Sequence, residues 1–132
     1  TEPFSPKEYR SDNYELLYSK SDAFIASFDD LTNTKYNQLF RNQLIVESAL
    51  INHSIEIGYS GLFCFQGDEN ALTKGKTFQK MLKNGEERFK IITFAKLIET
   101  FQKADIDWET REWSMMLWAR YCGIKLSERF KE

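Results

Sequence analysis

At 132 residues, with 42% hydrophobic and 15% aromatic content, the chain is long enough for one domain with a sizeable core and too apolar for general disorder. A formal net charge of -2 excludes indiscriminate attraction of the whole surface to nucleic acid or membrane and leaves local clusters as the places to look. No run approaches the ~18 apolar residues of a membrane span and no signal peptide opens the chain. Cys64 and Cys122 lack metal-ligand spacing with His53, the single histidine, so they read as free thiols in a reducing compartment, which makes the expected location cytoplasmic.

In chain order, the opening Thr1-Glu2-Pro3-Phe4-Ser5-Pro6 lacks a methionine, as after processing, tag removal or excision from something longer. Ser5 between two prolines predicts the cap of a short helix near Pro6 and Lys7. Tyr9, Tyr14, Leu16, Leu17 and Tyr18 predict one or two short helical turns. Ser19 to Asn33 reads as a surface connector anchored by Ala23, Phe24, Ile25 and Phe28.

Asn33 or Thr34 is then placed to cap a long helix running to about Ile57 and stopping at Gly58. Its first turns carry Gln38, Arg41 and Asn42 at i, i+3 and i+4, on one face. The residues after them, from Leu44, Ile45 and Val46 to Ile55 and Ile57, leave almost no wet face. This predicts a buried core helix with a polar N-terminal tip.

Gly61 to Gln66 is too short for a helix and rich in aromatics, so it reads as a buried strand. A polar loop from Gly67 to Gly75 and a short helix from Lys76 to Asn84 follow, with Phe78, Met81 and Leu82 inward and Gly85 at its end. Phe89 to Ile92 predicts a second strand, and Thr93 caps a helix from Phe94 to about Lys103. Asp107 caps a last helix, Trp108 to Tyr121, whose Trp108, Trp113 and Trp118 stand among Met115, Met116 and Leu117 and read as mainly core. Strand, helix, strand at this spacing predicts parallel pairing. Two strands do not make a stable sheet alone, so further strands are expected before Thr1 or in a partner chain. The fold class is therefore α/β: helix-rich, with a long buried core helix and a small, mostly parallel sheet. Residues 1–132 read as one domain or a fragment of a longer one, with 1–33 as connector and 34–132 as the core helix, two strands and C-terminal helices.

The tip residues Gln38, Arg41 and Asn42 serve either to hold a phosphate or to brace neighbouring loops. The run Lys74, Lys76, Lys80, Lys83, Arg88 and Lys90 is either a phosphate-binding edge or a solvated face. His53, near the end of the long helix, has no nucleophile that sequence places beside it, and suits the negative end of the macrodipole.

The leading Thr1-Glu2-Pro3, the polar connector, Tyr36-x-Gln38-Leu39-x-Arg41-Asn42 opening an apolar helix, the aliphatic-aromatic strand and the Trp-rich closing helix resemble the second half of the PD-(D/E)XK nuclease superfamily, the restriction-endonuclease-like fold. The resemblance implies metal-dependent phosphodiester hydrolysis in a complete domain, with the catalytic acid and Glu-x-Lys pair on two strands that precede Thr1. Some branches of that superfamily carry Gln-x-x-x-Tyr on the core helix. Gln38 matches its first position, but Asn42 stands where the tyrosine would be, with Arg41 beside it.

No Glu-x-Lys can be carried over: Glu56-Ile57-Gly58 lacks the lysine, and Glu86-Glu87-Arg88-Phe89-Lys90 has the charges at the wrong spacing. The expectation is thus no catalytic and no metal-ligating residue within this chain, Mg²⁺ only in a complete domain, and nucleic-acid contacts from Gln38, Arg41, Asn42, Lys76, Lys80 and Lys83. The alternative is a non-catalytic interaction or dimerisation module. Partners under either reading are nucleic acid, and a second copy or a missing N-terminal segment along a strand edge, with no membrane.

Overall fold

A computed structural model describes residues 12–122. The short helix expected near Pro6 lies outside them. Seven helices and two strands follow one another among the described residues: α1 (Asp12–Ser21), α2 (Phe28–Thr32), α3 (Asn37–Ile51), β1 (Ser60–Cys64), α4 (Glu69–Lys80), α5 (Gly85–Arg88), β2 (Phe89–Thr93), α6 (Phe94–Lys103) and α7 (Trp108–Tyr121). The two strands pair in parallel, so the fold is α/β and helix-rich, consistent with a PD-(D/E)XK-like fold. No described helix is long and apolar enough to cross a membrane. The described residues up to Leu62, with Thr73–Ile91, form one compact unit; Phe63–Leu72 and the residues from Ile92 onward form a second.

In the first unit, α3 buries Leu39, Phe40, Gln43, Leu44 and Glu47, a stripe at helical spacing. Phe40 meets Phe24 edge-on at 5.2 Å and Phe28 at 5.7 Å, and Tyr18 of α1 stacks on Phe24 at 5.4 Å between ring centroids. Contacts of this kind exceed simple area burial in worth. Ala23, Phe24 and Leu31 are the buried anchors of the connector, whereas Ile25 points outward.

Both ends of α3 differ from expectation. Tyr36 occupies the N-cap position without a side-chain cap bond, while the Asn33 Oδ1 accepts the Lys35 N–H at 2.9 Å in the turn before it. The helix closes six residues before Ile57. His53 takes a left-handed φ of 55°, and the Ser54 N–H returns to the Ala49 carbonyl at 2.9 Å, satisfying the end carbonyls. Ile55 and Ile57 therefore lie beyond the helix and exposed, and Ile45 on α3 is 68% exposed, so the helix does have a wet face.

The stretch expected to be a loop up to Gly75 is instead the beginning of α4, where the Asp68 Oδ1 accepts the Ala71 N–H at 2.9 Å. Gly75 lies inside this helix because a Cβ there would come within 3.0 Å of both Leu62 Cδ2 and Ile91 Cδ1. It marks close approach of helix to strands, not a turn. Gly85 opens α5 instead of ending a helix. Between α4 and α5, Phe24 and Leu82 form an antiparallel bridge, and the Ile25 and Lys83 N–H groups bond the Met81 and Ala23 carbonyls, each at 2.8 Å.

In the second unit α6 and α7 pack on each other with the predicted boundaries and caps. The Thr93 hydroxyl accepts the Lys96 N–H, and the Asp107 carboxylate accepts the Thr110 N–H at 2.7 Å. That last bond holds the Asp107 carboxyl below the usual carboxylate range. Gln66 accepts the Ala95 N–H and donates to the Tyr121 carbonyl, tying the segment after β1 to the start of α6 and the end of α7. The expectation that the tryptophans are mainly core is corrected here: Trp108 is 71% and Trp113 54% exposed, while Ser114 is the buried residue of α7.

Candidate nucleic-acid interface

The register of α3 decides which of its polar residues face out. With Leu39, Phe40 and Leu44 inward, Gln38 and Asn42 are exposed and Arg41 is half-buried. Arg41 stands in the wall of a surface groove of about 390 Å³ between α1 and α3, with Tyr14, Leu17, Ile45 and Asn52 among its neighbours. Tip and groove together present a guanidinium, carboxamides and hydroxyls, all able to donate to an anion.

The lysines fall into a second place. Lys76 and Lys80, one turn apart on α4, line another groove of about 290 Å³ with Gln79 and Glu86. Lys83 is ion-paired with the Asp22 carboxylate, whose acidity the lysine raises: its hydrogen bond and charge hold Asp22 below the usual carboxylate range. Lys90 donates to the Glu86 carbonyl at 2.7 Å and sits 5.4 Å over the Tyr59 ring. The six expected contact residues are thus divided between the α3 tip and the α4 edge.

The residues most firmly organised by the fold are others. The Ser60 hydroxyl of β1 donates to Gln43 Oε1 at 2.5 Å, Gln43 Nε2 donates to Glu47 Oε1 at 2.8 Å, and Arg88 Nη1 reaches the same oxygen at 2.7 Å. Glu47 is 3% exposed and Gln43 1%, whereas Arg88 keeps part of its guanidinium in solvent. The chain of bonds joins α3 to β1 and to the end of α5. Its trace in the sequence is two polar residues at i, i+4 in register with Leu39, Phe40 and Leu44, where a purely amphipathic helix would carry apolar ones.

Burial pushes the Cys64 thiol up, away from the thiolate form. His53 is exposed and serves the helix end through its backbone. Among the described residues no group of three or more His, Cys, Asp or Glu converges that could hold a metal ion.

The sequence model of the PD-(D/E)XK nuclease superfamily matches residues 1–123. No curated protein and no solved structure matches the chain.

Proposed function

The chain belongs to the PD-(D/E)XK nuclease superfamily, and from that premise we propose that it is the downstream part of a nuclease-like domain acting on nucleic acid by metal-dependent phosphodiester hydrolysis. The acid and the Glu-x-Lys pair come from sequence outside these 132 residues. Within them the chain holds no acidic residue followed two positions later by lysine. It contributes the core helix, part of the sheet and phosphate contacts from Arg41, Lys76 and Lys80, with Gln38, Asn42 and Lys83 beside them. The observation that carries the reading is the family match over nearly the whole chain. The donor-rich tip of α3 and the paired lysines of α4 support its nucleic-acid part.

Fluorescence anisotropy with single- and double-stranded DNA and RNA, over a salt series, tests the contacts. Arg41→Ala lowers the salt slope by about one contact and Lys76→Ala with Lys80→Ala by about two, with unfolding midpoints little changed. Incubation of the chain with linear and nicked DNA and with RNA, with and without Mg²⁺ or Mn²⁺, gives no cleavage. Metal-dependent cleavage that co-purifies with the chain overturns the division of labour, and salt-independent or absent binding overturns the phosphate contacts.

A second reading, a non-catalytic interaction module, is favoured by one observation, the apolar exposed surface of α7.

A further inference from the structure

Tyr59 is the residue directly before β1 and is 58% exposed, so its ring keeps area for a second planar group. An extended chain turns every second side chain to the same side, which puts Tyr59 and Gly61 on one face of the sheet. The backbone of Lys90 on β2 lies against Gly61, where a Cβ would come within 2.9 Å of the Lys90 carbonyl oxygen. From there the Lys90 ammonium reaches to 5.4 Å over the Tyr59 ring, and its attraction to the ring face orients the tyrosine. Gly61 adds no side chain beside the ring. This corner of the sheet is therefore an aromatic surface edged by a positive charge.

The same ammonium leads to the lysines of α4. It donates to the Glu86 carbonyl at 2.7 Å, and Glu86 lines the groove that holds Lys76 and Lys80. Lys83 is ion-paired, whereas Lys76, Lys80 and Lys90 form no ion pair among the described residues. Three such lysines against one groove carboxylate make the track from groove to ring positive, and all of these residues belong to the first unit.

We propose that this corner holds an unpaired nucleotide, its base stacked on Tyr59 and its phosphate on Lys90, with neighbouring phosphates of the same strand along Lys76 and Lys80. The proposal rests on the nucleic-acid reading above and narrows it to single-stranded or locally opened substrate. Two features select that occupant. A base within a duplex has both faces covered by its neighbours, so only an unpaired one can lay its ring on a protein aromatic. An apolar partner would leave the lysines without a counter-charge, and a lone phosphate would leave the ring unused. Lys76 and Lys80 stand about 6 Å apart along the α4 axis, a repeat that suits consecutive anions on one strand better than a single ion.

Fluorescence anisotropy of the 132-residue chain with labelled oligothymidylate, and with the same strand annealed to oligoadenylate, tests the pairing of ring and charge. The parent is expected to bind the single strand about tenfold more tightly than the duplex. Tyr59→Ala weakens single-strand binding by about tenfold and leaves duplex binding and the salt slope unchanged, since the ring carries no charge. Tyr59→Phe, which keeps the stacking face, stays within about twofold of the parent, and Lys90→Gln lowers the salt slope by about one contact. Circular dichroism melts report that the variants keep the fold, as expected for exposed positions. Ultraviolet cross-linking of the parent to oligothymidylate carrying iodouracil, mapped by mass spectrometry, locates the base without any substitution and is expected to mark Tyr59. Cross-links confined to other residues overturn the proposal, as does a Tyr59→Ala chain that keeps its preference for the single strand. In both cases salt-dependent binding persists and the phosphate contacts stand, whereas a chain that binds neither form overturns both readings together.

Discussion

Helix α3 buries a glutamine and a glutamate while leaving Ile45 in water, whereas α7 buries a serine and leaves Trp108, Met115 and Met116 in water. Hydropathy alone predicts the reverse at each of these positions. The difference is in partners. Gln43 and Glu47 go inside because Ser60 and Arg88 meet them with hydrogen bonds of good geometry, which removes the desolvation penalty of an unpaired polar group. The outward residues of α7 have no such counterpart on α6, which covers the other side of the helix. Burial follows complementarity, and an apolar side chain with nothing opposite it remains outside.

The comparison breaks first at Arg88. Arg88→Met leaves the Glu47 carboxylate buried with one donor fewer and is expected to cost about 3 kcal/mol by urea unfolding, whereas Glu47→Met combined with Arg88→Met, which strands no charge, costs less than the single change. If the single change proves silent, the network is not what holds α3 to β1 and α5. A smaller effect is expected at the Asp22–Lys83 pair. Because Lys83 lowers the Asp22 pKa, the contribution is present above the usual carboxylate range and is lost as pH falls through the lowered folded value. Asp22→Asn therefore lowers thermal stability slightly in the neutral region, where the pair is formed, and leaves the acid end unchanged, so the profile is flatter; a variant as stable as the parent at neutral pH would contradict the pairing. The smallest effect is at Met115. As a solvated residue of the monomer, Met115→Gln changes unfolding by no more than about 0.5 kcal/mol at dilute concentration, and a large loss there would place the residue in a core.

Much of the second unit was legible. Thr93 and Asp107 are short oxygen-bearing side chains directly before apolar-periodic runs, and such caps are local enough for sequence to locate both helix starts and ends. The two strands and their parallel pairing were legible for the same reason: short β-branched and aromatic runs separated by a helix-length segment. Around α3 and α4 the sequence misled where tertiary contacts override local signals. Gly75 reads as a loop residue until Leu62 and Ile91 are seen against it, and His53 closes α3 in a conformation normally signalled by glycine. Of the candidate site, the exposure of Gln38 and Asn42 followed from helical register. That Lys83 is paired and Arg88 enters a buried network depends on residues 61 and 41 positions away, beyond any local pattern.

The bridge between residues 23–26 and 81–83 has a kinetic consequence. Its backbone bonds and the Asp22–Lys83 pair close a loop of about sixty residues, and none of them can form until that closure has been made. The helices α1, α3 and α4 are local objects and can flicker into existence early, whereas the latch that joins the two ends of this segment waits on the slower meeting of distant parts of the chain. Amides at Ile25 and Lys83 are bonded only through that closure, so their exchange with solvent reports the opening of this join and not the fraying of any one helix.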